Sequence, residues 1–404
     1  MPPHEGLVHS KQYDIKDSNV ELINSDLDHK VKHASAATEP AWNNGLIGKE
    51  AGLNIWRIEN FEVIPWPKEK YGQFYDGDSY IILNSVLLKQ DGEKKKLHHD
   101  IFFYLGKNTS QDEAGTAAYK TVELDEFLSG SATQHREVQE YPSEEFASLF
   151  RRITIRSGGV DSGFTHVEEE QPKEITTLLR VFKHPAAASS GSRIDSVIVY
   201  EVAPTWESLD DDDVFILDKG EKIWVWQGKN CSPMEKAKAA QVVNDMTLAK
   251  HIDVEVLSRH ESRSSIVVGL LGGRDVVQST FKAPRPMAQS KRAQAQSQSS
   301  GSGTRKLYRL SDASGSLSFD LIKDGPKIRH SDFDGNDVFL YDVGNRLWVW
   351  QGLGASAREK SLWLKVAQAY VRRLQEQEDD AYMLPISKVV QDYESPAFLK
   401  AVEA

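Results

Sequence analysis

DVFILDKGEKIWVWQGKNCSPMEKA, residues 213–237, sets the organisation of the whole chain. An acid (Asp213) leads an apolar run. A tight turn follows at Asp218–Glu221, then the aromatic run WVWQG ending at Gly228, and Glu235 stands seven positions further on. The phrase recurs as DVFLYD from Asp337, WVWQG at 348–352 and Glu359. A third version reads DSYIIL from Asp78, FFYLG at 102–106 and Glu113. The acid-to-glycine spacing is 15 residues in the later copies and 28 in the first. The extra length falls at Lys89–Lys95, where Asp91-Gly92 predicts a longer hairpin turn. One unit used three times, about 120 residues apart, predicts three domains. Because each copy brings its own pair of acids, the pattern argues for a repeated metal or partner site and against a single catalytic pocket.

The short β-branched and aromatic runs predict strands. Opening strands are expected at Asn54–Ile58, Leu178–Phe182 and Lys306–Leu310. A helix follows each aromatic run. Ser232-Pro233 supplies a cap and a first-turn proline, and Ser356 with Glu359 forms a capping box. Buried stripes are expected at Ala237, Ala239, Ala240 and Val243, and at Leu362, Val366, Ala369, Tyr370 and Leu374. The second unit closes near Val267–Gly273, read as a strand ending in a turn. A central sheet with a long helix on one face is the natural result.

The boundaries read from composition are an N-terminal extension at 1–50, a first domain at 51–165, a second with its connector at 166–277, and a third at 305–404. Residues 278–304 contain no acid and few bulky apolar side chains, which predicts a flexible linker. The formal net charge of −11 argues against nucleic-acid binding and suits a protein that binds cations. A single cysteine, Cys231, fits a reducing compartment. The polar N-terminus lacks an apolar signal core, and no run approaches the length of a membrane span.

Asp78, Asp213 and Asp337 each begin a strand, and Glu113, Glu235 and Glu359 each stand in the first turn of a helix. An acid there gains about 0.3–1 kcal/mol from the helix dipole alone. Three copies at one offset favour a further role. Two carboxylates with a few carbonyls make an oxygen-only site, suited to a hard cation and to calcium before magnesium. No soft-ligand set for zinc is present.

The segments Tyr71–Leu83, His98–Gly130, Gln134–Arg152, Gly158–Val167, Ala203–Ala237, Asp332–Gly352 and Val389–Phe398 resemble the gelsolin/villin superfamily in its three-domain, severin- and fragmin-like branch. The resemblance implies an α+β fold of three tandem gelsolin-like domains. Each would be a central mixed β-sheet flanked by a long and a short helix. It implies Ca2+ as the cofactor. The first ligand set matches Gly77, Asp78, Glu113 and Val160; the second matches Asp212, Asp213, Glu235 and Asp275; the third matches Asn336, Asp337, Glu359 and Glu394. An additional calcium, shared with actin, matches Asp125 with carbonyls at Gly130 and Ala132. The actin-binding helix would span 112–128 and present Ala117, Tyr119, Val122, Glu123, Asp125 and Phe127.

The implied activity is calcium-regulated severing of actin filaments with capping of their fast-growing ends, and nucleation beside it. The alternatives are capping or bundling without severing, or a calcium-binding scaffold that ignores actin. The partners would be actin monomer and filament. Arg151, Arg152, Arg156, Arg180 and Lys183 match the positions where the family binds phosphoinositides. The expected setting is cytoplasm and cytoskeleton, with the free chain a monomer. No Ser-His-Asp or Cys-His grouping and no phosphate-cradling loop is evident, so no enzyme is expected.

Overall fold

Strand alternation decides which face of each run meets which helix. The computed structural model describes residues 36, 38–89, 95–150, 152–160, 176–183, 197–248, 252–287, 305–378 and 381–403. Arg151, the turn at 90–94 and the linker residues 288–304 lie outside these.

The first unit runs β1 (Gly52–Glu59), β2 (Glu62–Pro65), β3 (Gln73–Tyr75), β4 (Ser79–Lys89), β5 (Lys95–Leu105), α1 (Gln111–Phe127), β6 (Thr133–Val138), α2 (Glu144–Ser148) and β7 (Arg152–Arg156). The second runs β8 (Thr177–Lys183), β9 (Val197–Val202), β10 (Val214–Asp218), β11 (Lys222–Gln227), α3 (Pro233–Thr247), β12 (Asp253–Ser258) and α4 (Ser265–Leu270). The third runs β13 (Arg305–Ser311), β14 (Ser318–Gly325), β15 (Val338–Asp342), β16 (Leu347–Gln351), α5 (Ala357–Gln375), β17 (Ile386–Val390) and α6 (Pro396–Glu403).

Five strands take the same order in all three: β2-β1-β4-β5-β6, β9-β8-β10-β11-β12 and β14-β13-β15-β16-β17. The last pair in each is parallel and the others antiparallel, so each sheet is mixed. The period of two then sorts the aromatic runs. Val225 and Val349 face the long helices α3 and α5. Trp226, Trp348 and Trp350 face the short helices α4 and α6. Phe103 likewise meets α1, while Phe102 and Tyr104 stack toward Phe146 of α2.

The helix stripes sit one residue away from expectation in places. Ala239, Val242 and Val243 are buried, whereas Ala237 and Ala240 are exposed. In α5 the buried apolar residues are Trp363, Ala367, Tyr370 and Val371, with Glu359 buried at the first turn. The run expected as a strand near Val267 is helix α4, because it covers the opposite face of the sheet. Part of the expected N-terminal extension also belongs to the first core. Ala41, Trp42 and Ile47 join its buried cluster, and the Trp42 and Trp56 rings meet edge to face at 6.0 Å.

The sheets do not stop at the repeats. β6 pairs antiparallel with β17, so the first and third units form one ten-stranded sheet. β3 and β7 of the first unit extend the sheet of the second to seven strands.

The glycine that ends each aromatic run has a steric cause. A Cβ at Gly228 would lie 2.3 Å from the Asp211 carbonyl oxygen, and Gly106 and Gly352 are equally crowded by backbone. Gly228→Ala is therefore expected to destabilise the protein by about 1–3 kcal/mol, read as a lowered denaturation midpoint at unchanged m-value.

Candidate metal and partner site

The crowded glycine is half of a repeated clamp. Gly106, Gly228 and Gly352 each donate their N–H to the carbonyl of the strand-leading acid, at 3.0, 3.0 and 3.1 Å from Asp78, Asp213 and Asp337. Two residues on, Asn108, Asn230 and Gly354 donate to the carbonyls of Asp76, Asp211 and Gly335 at 2.7–2.8 Å. The clamp ties the loop before one strand to the loop after the next, which is where each long helix begins. Ser110, Ser232 and Ser356 cap those helices, and each accepts the N–H of the glutamate three residues on. Strand acid and helix glutamate are thereby brought to one end of each sheet.

A third member went unread in the sequence. Arg57, Arg180 and Arg309 sit on the first strand of each unit in the same register, opposite Tyr80, Phe215 and Phe339, each two residues past the acid. They approach Asp78, Asp213 and Asp337 at 3.4, 2.6 and 3.9 Å. The signal was an arginine inside every opening strand (Trp56-Arg57-Ile58, Leu179-Arg180-Val181, Tyr308-Arg309-Leu310).

The three sites differ in how the glutamate is satisfied. In the second unit Glu235 accepts from Ser232 N–H at 2.7 Å and Lys183 N–H at 3.1 Å. In the third, Glu359 accepts from Ser356 N–H at 2.9 Å and Asp312 N–H at 2.7 Å. Asp312, also unread, adds a carboxyl bonded to Ser356 Oγ, and burial together with Asp312 raises the Glu359 carboxyl above its ordinary value. In the first unit Glu113 makes no capping box. Its Oε2 accepts from Thr109 Oγ1 at 3.0 Å, and its Oε1 is buried without a hydrogen-bond partner. Asp78 is fully buried beside it; burial raises its carboxyl, and the Glu113 charge adds to the rise. Asp78 Oδ1 accepts from Val160 N–H at 2.8 Å, and Gly77 N–H donates to Gly158. Asp78 Oδ2 accepts from Tyr80 Oη at 3.1 Å and Arg57 Nη1 at 3.4 Å. The first site thus has two buried carboxylates and one orphaned Glu113 oxygen, which fits a hard cation.

The second site is already filled with positive charge. Asp213 Oδ2 accepts from Arg180 Nε at 2.6 Å, and its Oδ1 accepts from Arg285 Nη2 at 3.1 Å. Asp212 pairs with Lys282. Asp275 is exposed. In the third site Asn336 is exposed and donates to Asp334, while Glu394 accepts from Trp350 Nε1 at 2.8 Å and His330 Nε2 at 3.3 Å. Among the described residues no group of three or more His, Cys, Asp or Glu is placed to hold a metal ion.

The residues expected to meet a partner divide sharply. Tyr119 is 53% exposed, and Val122 is half-buried. Ala117 is fully buried against its own sheet and presents no outward face, while Phe127, like Val122, is half-buried and packs partly on the same core. Glu123 is buried and pairs with Lys120 at 2.9 Å; Lys120 also reaches Glu39 at 2.6 Å. Asp125 is buried too. It accepts from Ala132 N–H at 3.0 Å, from Gln134 Nε2 at 2.6 Å and from Lys388 Nζ of the third unit at 2.9 Å. Gly130 turns the chain there with φ +68°.

Arg180, expected among lipid-facing residues, is 1% exposed, and its guanidinium is spent on Asp213, Asp210 and the Pro284 carbonyl. Arg152 pairs with Asp245 at 2.8 Å and Arg156 with Glu201 at 2.7 Å, while Lys183 is exposed. No helix among the described residues is long and apolar enough to cross a membrane.

Mixed five-stranded sheets between a long and a short helix, three times over, define a tandem-repeat protein built for binding. The chain belongs to the gelsolin repeat family, whose pattern matches residues 60–147, 195–265 and 324–399. It is 39% identical to gelsolin-like protein 1 of Lumbricus terrestris over 91% of this chain and 92% of that one. It is 33% identical to severin of Echinococcus granulosus over 98% and 99%. It is 36% identical to gelsolin of Drosophila melanogaster over 84% of this chain and 40% of that longer one. A solved archaeal 2DGel3 complex with rabbit actin matches at 21% identity, covering 53% of this chain and 97% of that one, with a TM-score of 0.22.

Removing Lys388 leaves Asp125 buried without its cation, an arrangement that costs about 3–5 kcal/mol. Lys388→Ala is expected to speed hydrogen exchange at 134–136 and 386–388 by tenfold or more, while the amides of α3 are unchanged.

Proposed function

We propose that this protein severs actin filaments and caps their fast-growing ends under calcium control, acting as a monomer in the cytoplasm and cytoskeleton. The observation that carries the reading is the first site: Asp78 and Glu113 lie buried together, and a Glu113 oxygen lacks a partner. Full-length similarity to a protein named severin supports it.

Asp78 and Glu113 would hold the cation, with carbonyls at Gly77 and Val160 completing an oxygen set. The ion supplies charge compensation for two carboxylates that otherwise repel. The remaining work belongs to the chain. Helix α1 offers Tyr119 and Val122 to a hydrophobic cleft of actin. Asp125 is the group that the resemblance gives to actin, yet Lys388 and Gln134 hold it here. Engaging actin through Asp125 and keeping the third unit docked therefore compete for one side chain. A ligand that favours the undocked arrangement shifts the population toward it.

Severing on this account is mechanical. The second unit docks on the filament side, and the first wedges α1 between adjacent subunits. Apolar burial at about 25 cal/mol per Å² offsets the contact that is lost. Lipid regulation rests on Arg151, Arg152, Arg156 and Lys183, since Arg180 is internal.

Filament microscopy tests the activity. Abrupt breaks that require calcium are expected. Slowed end growth without breaks would leave a capper, and untouched filaments would leave a scaffold. Titration calorimetry tests the site: Glu113→Gln is expected to abolish the first-unit calcium heat, and an isotherm equal to wild type would refute the assignment.

A further inference from the structure

Residues 278–287 stand at the head of the stretch expected to be a flexible linker, yet they are packed onto the second unit. Phe281 is 3% exposed. It exchanges hydrogen bonds with Asp211, donating to Oδ2 at 3.0 Å and accepting from the backbone N–H at 2.9 Å. Met287, at the far end, sits in the core cluster of the first unit. The strap carries two cations, Lys282 and Arg285, and both land on the aspartate run that leads β10.

We propose that Arg285 is a built-in cation of the second unit, standing where a divalent ion would otherwise sit and latching the strap to the domain. This rests on reading the acid pairs as cation sites. Three observations carry it. Both Asp213 oxygens are taken by guanidinium groups, one by Arg180 and one by Arg285, whereas Asp78 meets a guanidinium on Oδ2 alone and the neutral donors Val160 N–H and Tyr80 Oη otherwise. Glu235, unlike Glu113, already has backbone N–H donors on both oxygens. Asp275, expected in the same ligand set, is exposed, and among the described residues no group of three or more His, Cys, Asp or Glu is placed to hold an ion there. Arg180 is buried inside the unit; Arg285 is 42% exposed and reaches Asp213 from the strap, so it is the cation that can leave.

The consequence is a division of labour. The tethered guanidinium competes with free ions at the high effective concentration of an intramolecular group. Calcium at levels that load the first unit leaves the second closed and the strap in place. Releasing the strap would free ten residues, about 33–36 Å of extended chain, between the second and third units.

Calorimetry in a Glu113→Gln background tests this without the first site. Arg285→Ala is expected to add a calcium-binding event, or to tighten one at least tenfold, and a further Glu235→Gln to remove it. An isotherm unchanged by Arg285→Ala overturns the proposal while leaving the first site untouched. Hydrogen exchange on the otherwise unaltered chain gives an independent reading. The Phe281 amide, which donates to Asp211, is expected to stay protected at calcium levels that saturate Glu113, and loss of its protection would also overturn the proposal.

Discussion

A carboxylate buried beside another carboxylate must be given something positive or a set of donors, and each unit of this chain meets that demand differently. The backbone clamp and the helix cap set the problem identically three times. In the third unit the glutamate is satisfied by backbone N–H groups from its own cap and from the end of β13. In the second, two guanidinium groups share the aspartate. In the first, Arg57 divides itself between Asp78 and Glu59, and one Glu113 oxygen has nothing. Copies of one motif thus differ in how their acids are satisfied.

The same constraint operates at the joint between the outer units. β6 and β17 continue one sheet, but pairing of three residues is a modest contact. Side chains add the specificity: Lys388 on Asp125, Arg346 on Glu145, and Ser387 on His135 at 2.9 Å. Lys388 and Asp125 are both buried, so separating that pair leaves a costly unpaired charge. An arrangement of that kind suits a device with two states better than a permanent fusion.

The architecture was legible because it depends on alternation, which a sequence displays. WVWQG predicts a strand, and the clash at Gly228 explains why glycine ends it. The acid pairs were legible because their offset repeats. What stayed hidden was whatever joins distant parts of the chain. Arg180 looked like a surface arginine, because nothing in LLRVF says which way its side chain turns. Arg285 lay in a stretch whose composition cannot build a core, yet that stretch borrows the cores of two units through Phe281 and Met287. Trp42 and Ile47 were unreadable for the same reason, as isolated apolar residues with no period. Ala117 was misjudged because spacing places residues on a helix face without saying which face turns inward.

The central claim is that one motif has been left open to a cation in the first unit and closed by the protein's own arginine in the second. Anomalous diffraction from crystals grown with calcium tests it directly. The account predicts an ion peak between Asp78 and Glu113, and the Arg285 guanidinium still on Asp213. An ion bound at Asp213 with Arg285 displaced, and none between Asp78 and Glu113, would contradict it.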